Sequence, residues 1–330
     1  MAREERRPRT LMDGVPDRPL AELFRGTRFE AFVAPLARKK VVGAMDLLVR
    51  APELGTLLGG EAEGMVLLAG RVFLPTMETP LSLPPAPRLG WGCAQLDPLF
   101  GGGLQLAGVT ELCGAAGSGK TQLALWLAGR SLAQHPESGV VYVCTEGEFP
   151  ARRFRQMRHA GLGAAEACAR VVVERAASFE ELWGVASARL PLLLARTRAR
   201  LLVLDSVGAL GAEHGSGELG ARAEQLWRLA QRLKWLADQY ACGVLVLNQV
   251  RADFADGRPD AVAPALGLVW ANCVNTRIMV RKTRRASPDG SPIREMAVHL
   301  CPYLPSFAAE FVVTSEGIRG AGTGMDQMND

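Results

Sequence analysis

The sequence predicts an α/β fold: a mostly parallel, buried sheet flanked by helices, with a small all-helical N-terminal domain in front of it. Three observations carry this. From about residue 92, short apolar, β-rich runs alternate with longer runs of helical spacing, the pattern of βαβ units. Between the first strand-like run and the first helix-like run stands a phosphate-binding loop pattern. Upstream, residues 32–73 carry apolar residues at helical spacing only, cut into short pieces by Gly55, Gly59, Gly60 and Gly64.

Composition narrows the class further. The chain has 330 residues, 48% hydrophobic and 22% charged, enough to bury a substantial core and unlike a disordered, collagen-like or coiled-coil chain. No apolar run approaches the roughly 18 residues of a membrane span. The N-terminus has no apolar stretch behind its charges, so it does not read as a secretory signal. Seven cysteines, none at C-x-x-C spacing, argue for a reducing compartment without structural zinc, and the four histidines form no cluster. The net charge of +4 resides in residues 1–40; beyond them the two signs balance. A strong nucleic-acid binder carries a basic excess on its binding domain, and this core does not.

In chain order, residues 1–30 are rich in Arg, Pro and Glu and read as a flexible arm. Residues 31–74 read as the small helical domain. Residues 75–90, with five prolines, read as an extended linker, and residues 91–322 as the α/β core. Within the core, strands are expected at 109–113, 140–144, 171–173, 201–204 and 244–247. Helices are expected at 120–133, 149–159, 179–194 and 219–240. Residues 274–313 read as an antiparallel edge with a turn at Pro288-Asp289-Gly290, and 323–330 as a disordered tail.

The loop Gly114-Ala115-Ala116-Gly117-Ser118-Gly119-Lys120-Thr121 fits G-x-x-x-x-G-K-[ST] between strand and helix. Its glycines let backbone N–H groups turn inward on phosphate oxygens, and the helix N-terminus adds favourable partial charge. Lys120 is placed to reach the β/γ-phosphates and Thr121 to ligate Mg²⁺. The run Leu201-Leu202-Val203-Leu204 ends in Asp205, a carboxylate at a strand tip suited to holding that metal through water. A second strand ends in Thr145-Glu146, where a carboxylate can polarise the attacking water; a solvated loop glutamate is the plain alternative. A third ends in Asn248-Gln249, whose amide can sense a γ-phosphate.

Taken in order, Gly119-Lys120-Thr121-Gln122, Thr145-Glu146-Gly147-Glu148-Phe149, Leu204-Asp205-Ser206, Gly217-Glu218-Leu219 and Asn248-Gln249-Val250 resemble the RecA-type recombinases, specifically the eukaryotic strand-exchange recombinase and its paralogues. The resemblance runs from about residue 92 to 320, with a weaker one over the helical N-terminal region, which in that family contains a helix-hairpin-helix element. It implies a RecA-like ATPase core with ATP and Mg²⁺ as cofactors. Lys120, Glu146 and Gln249 would be catalytic, residues 114–122 the nucleotide loop, and Thr121 with Asp205 the metal site. It also implies a nuclear protein of homologous recombination that pairs with another recombinase paralogue, and further with the main strand-exchange recombinase, on single-stranded or branched DNA. Weak DNA-dependent ATP turnover goes with that role.

Two segments, 207–220 and 250–264, match the family's DNA-facing loops. The second carries Arg251 and Arg258 against Asp253, Asp256 and Asp260, a poor phosphate cradle. This disfavours the alternative of an autonomous filament-forming recombinase. A nucleotide-independent scaffold is disfavoured by the complete nucleotide set. The cations Arg277, Arg281, Lys282, Arg284 and Arg285 could supplement DNA contact or simply be a solvated strand edge. The family also uses a Phe-x-x-Ala anchor in its linker. Here the matching stretch is Phe73-Leu74-Pro75-Thr76, 19 residues before Gly92, with Thr76 in place of alanine; it implies a partner interface at Phe73 and Thr76.

Overall fold

The computed structural model describes residues 17–70, 87–159, 161–208, 219–252 and 262–321. The chain divides into two compact units, Met1–Pro84 and Pro85–Asp330.

The first unit is helical: α1 (Leu20–Leu23), α2 (Val33–Arg38), α3 (Ala44–Arg50), α4 (Gly55–Leu58) and α5 (Ala62–Gly70). Helices this short do not persist alone in water, so their shared core holds them. Leu20, Phe24, Leu36, Leu47, Leu58 and Met65 supply that core, each at most 1% exposed. The start of α3 is fixed by Asp46, which accepts the N–H groups of Val42 and Gly43, and by Asp17, which accepts that of Met45. The unit therefore starts earlier than the sequence reading placed it. Residues 17–30 are not arm: their charge-rich composition hides Leu20, Phe24 and Phe29, which anchor the bundle.

In the second unit, β1 (Arg88–Leu89) pairs with β2 (Leu104–Gln105), with α6 (Leu96–Leu99) between them. The end of the expected linker thus belongs to the core unit. The remaining elements are β3 (Val109–Cys113), α7 (Lys120–Gln134), β4 (Val140–Cys144), α8 (Ala151–Gln156), α9 (Ala164–Ala169), β5 (Val171–Arg175), α10 (Phe179–Gly184), α11 (Leu190–Thr197), β6 (Leu201–Asp205), α12 (Leu219–Tyr240), β7 (Gly243–Asn248), β8 (Val250–Ala252), β9 (Val262–Pro264), α13 (Gly267–Ala271), β10 (Thr276–Ala286), β11 (Pro292–Leu300), β12 (Ala308–Val313) and β13 (Ile318–Gly320).

The main sheet has nine strands in the order β13-β12-β11-β10-β3-β7-β6-β4-β5. From β10 through β5 the pairs are parallel; from β10 through β13 they are antiparallel. This is the expected parallel sheet with its antiparallel edge. Parallel strands need crossover helices, which cover both faces, so the central strands are buried and mostly apolar, with Thr110 and Glu111 on β3 and Asn248 at the tip of β7 as polar exceptions. Alternation assigns each residue a face. Leu201 and Val203 pack with α7 on one side; Leu202 and Leu204 pack with α10, α11 and α12 on the other. On α12, Leu226, Leu229, Ala230, Leu233, Leu236 and Ala237 form the buried stripe, at helical spacing.

Register aligns the strand tips. Cys113 lies beside Asn248, Cys144 beside Asp205, and Asp205 beside Leu247. The residues that leave these tips therefore gather at one end of the sheet, where open α/β sheets bind ligands.

Candidate nucleotide site

The phosphate loop leaves β3 and turns into α7. Gly119, the residue before the helix, has φ +114°, a conformation open to glycine. Gly114 is required for space: a Cβ there would run into the carbonyl of Val280 on β10. Lys120 opens α7 and donates from Nζ to the carbonyls of Gly114 (2.7 Å) and Ala115 (3.0 Å), so its ammonium lies over the loop. Burial holds its pKa below the usual lysine value, against the pull of Asp205. The Ser118 hydroxyl is 1% exposed and has no partner among the described residues, a donor kept within the loop.

Asp205 is the second anchor. Its Oδ2 accepts from Thr121 Oγ1 at 3.0 Å and from Tyr142 Oη at 2.6 Å. The pairing of a loop hydroxyl with a strand-tip carboxylate is the donor set a magnesium ion uses beside phosphate oxygens. Burial raises the Asp205 pKa above the ordinary carboxylate value, opposed by these two hydrogen bonds. Burial also pushes the Tyr142 phenol well up, so it stays protonated and donates.

Glu146 stands across from this pair. Its Oε1 accepts from the Ser206 hydroxyl and from Gln249 Nε2 at 3.3 Å. Ser206 is itself fixed: its N–H donates to Thr145 Oγ1 at 2.9 Å, and the Thr145 hydroxyl donates to its carbonyl. The Asp205–Ser206 peptide is cis. Lys120, Thr121, Asp205, Glu146 and Gln249, separated in sequence, thus form one cluster at the strand tips. Gln122 differs: its Oε1 accepts from Arg153 Nε at 2.6 Å, and Arg153 also donates to the carbonyls of Thr314 and Ser315. Gln122 braces α8 against the chain before β13 rather than facing the loop's interior.

Three site residues are given no role by the sequence reading: Tyr142, Ser206 and Arg153. Ser206 stands inside the quoted Leu204-Asp205-Ser206 motif, and Tyr142 leaves a trace as a phenol inside an otherwise apolar strand. Phe73, Thr76 and Arg258 lie outside the described residues. Arg251 is exposed on β8, which pairs with β9 (Arg251 opposite Ala263). Of the five cations on β10, Arg277 is largely covered and pairs with the buried Glu111 at 2.6 Å, Arg281 pairs with Glu295 at 2.8 Å and Arg285 pairs with Glu310. Only Lys282 and Arg284 remain exposed without such a carboxylate among the described residues, so most of the cationic charge on this strand is held in ion pairs.

Comparison with known proteins agrees with this architecture. The Rad51 family model matches residues 87–321. The chain is 37% identical over 255 residues to the DNA repair protein XRCC3 of Bos taurus, covering 71% of this chain and 74% of that one. It is 34% identical over 243 residues to the meiotic recombination protein DMC1 homolog A of Oryza sativa subsp. indica, covering 71% and 69%. Among solved structures it is similar to the RadB recombinase, with TM-score 0.56 and 27% identity, covering 70% of this chain and 99% of that one.

Proposed function

Because the chain belongs to the Rad51 family, we propose that it is a recombinase paralogue that binds ATP with Mg²⁺ and works in a hetero-oligomer to promote homologous-recombination repair of DNA double-strand breaks in the nucleus. The observation that carries the nucleotide reading is the Thr121–Asp205 hydroxyl–carboxylate contact, with Lys120 over the loop and a buried Ser118 hydroxyl that has no partner among the described residues. That donor set fits a magnesium–triphosphate.

The nucleotide supplies a labile phosphoanhydride whose oxygens share charge with the metal. The chain's own residues then divide the work. The loop N–H groups and Lys120 hold the phosphates. Thr121 and Asp205 hold the metal, with Tyr142 fixing the Asp205 carboxylate. Glu146, oriented by Ser206 and Gln249, is placed to accept a proton from a water directed at the terminal phosphate. Gln249 leads into β8 and connects that carboxylate to the segment that faces DNA in the family.

The role of mediator rather than self-sufficient strand-exchange enzyme is supported by the acidic balance of 250–264 and by the carboxylate-paired cations of β10. Partner pairing through Phe73 and Thr76 follows from the linker pattern.

The test is binding and turnover of ATP by the full chain, with and without single-stranded DNA and with a co-expressed paralogue, beside Lys120→Ala. The expected result is Mg-dependent binding that Lys120→Ala weakens about ten- to hundredfold, the worth of a lost charged contact, with slow turnover. Binding indifferent to Lys120 and Mg²⁺ refutes the nucleotide reading. Fast DNA-stimulated turnover by the lone chain favours an autonomous recombinase instead.

A further inference from the structure

Glu111 is a carboxylate with no accessible surface, on β3, three residues before the phosphate loop. Sites of this kind in a parallel sheet are normally aliphatic. Its Oε1 accepts from Asn248 Nδ2 at 2.7 Å and from Trp270 Nε1 at 2.8 Å, and its Oε2 accepts from Arg277 Nε at 2.6 Å. Asn248 and Trp270 are both fully buried. One carboxylate thus joins β3, β7, β10 and α13.

Stability does not account for it, since a buried ion pair is often no better than apolar residues of the same volume. Placement does. β3 runs directly into Gly114. Asn248 immediately precedes Gln249, and its carbonyl accepts the Gly114 N–H at 3.3 Å. Trp270 sits on α13, just after β9, which pairs with the β8 strand that Gln249 leads into.

The node also holds unused capacity. Asn248 Oδ1 and Arg277 Nη2 are buried without partners among the described residues. That Asn248 oxygen lies 3.1 Å from where a Cβ on Gly208 would sit, beside the chain leaving Ser206. A spare acceptor at the junction of the Ser206 and Gln249 segments allows an alternative bond there when either segment shifts.

We propose that Glu111 is a positioning residue that couples the phosphate loop and Gln249 to α13, through Asn248 and Trp270. This rests on the nucleotide reading above. Ligand-driven movement at Gly114 or Gln249 alters the hydrogen bond between Trp270 and Glu111.

The test uses the full chain labelled with ¹⁵N at its tryptophan indoles, with the Trp270 resonance assigned by Trp270→Phe. Saturation with Mg-ATP should move the Trp270 indole N–H resonance. The move should be lost in Asn248→Ala and in Glu111→Gln, while each variant binds a fluorescent ATP analogue within about twofold of the parental chain. Two variants are used so that a folding failure in one leaves the other to decide. A Trp270 resonance that stays still in the ATP-saturated parental chain overturns the coupling and leaves the nucleotide reading standing. A move that persists in both variants also overturns it. No ATP binding by the parental chain overturns both together.

Discussion

Replacing Arg277 by methionine removes the guanidinium and keeps most of its stem volume. Glu111, with a side chain 0% exposed, is then left with two neutral donors, Asn248 and Trp270. Removing one member of a buried ion pair costs about 3–5 kcal/mol. At about 2–4 °C of Tm per kcal/mol for a domain of this size, Tm should fall by roughly 6–20 °C. Calorimetric or circular-dichroism melts of both chains read this directly. Adding Glu111→Leu to Arg277→Met should recover only part of the loss. The Asn248 amide and the Trp270 N–H then lose their acceptor, at about 1–3 kcal/mol each. A Tm change under about 3 °C would falsify the buried-pair reasoning.

Two further outcomes are expected. Tyr142→Phe takes one of two donors from Asp205 Oδ2, so the carboxyl, already raised by burial, rises further. Mg-ATP binding needs the ionised form, so its acid limb should move to higher pH. Superimposable binding–pH profiles for parent and variant would contradict this. Phe24→Ala deletes a fully buried ring of the N-terminal unit and should lower the stability of that unit by about 3–5 kcal/mol, while ATP-analogue affinity stays as in the parent. Urea melts followed by a probe in residues 17–70 check this, and an unchanged midpoint would return residues 17–30 to the status of a loose arm.

The parts of the site that were legible share one property: each is a short linear pattern on a strand tip. The phosphate loop, Asp205, Glu146 and Gln249 could be read because an apolar run that ends in a polar residue marks both the strand and its end. The parallel sheet followed from the same alternation. What stayed hidden is made by pairing between strands distant in the chain. Ser206 meets Glu146, and Glu111 meets Asn248 and Arg277, only once β6, β4, β3, β7 and β10 are in register. Nothing local in T-E-L or N-T-R announces those contacts. Gln122 belonged to the loop pattern, yet its side chain answers to Arg153, because the helix turns it away. The boundary of the N-terminal unit was missed for a compositional reason: three buried residues, Leu20, Phe24 and Phe29, in a charge-rich stretch are too few to set a period.

The strand tips are aligned by a ladder whose central members, β3, β7 and β6, are paired on both sides and almost wholly shielded from water. Amides there exchange with solvent only when the whole sheet opens, so the distances among Lys120, Asp205 and Glu146 are as durable as the core itself. The converse holds for inherited variation. A substitution that loosens either apolar layer, at Leu236 or Phe154 for instance, touches no phosphate, yet it lowers the fraction of molecules in which those tips are aligned. On the function proposed above, such a variant would read in a cell as a loss of repair, and its defect would be relieved by cooling or by saturating nucleotide rather than by restoring any residue of the site.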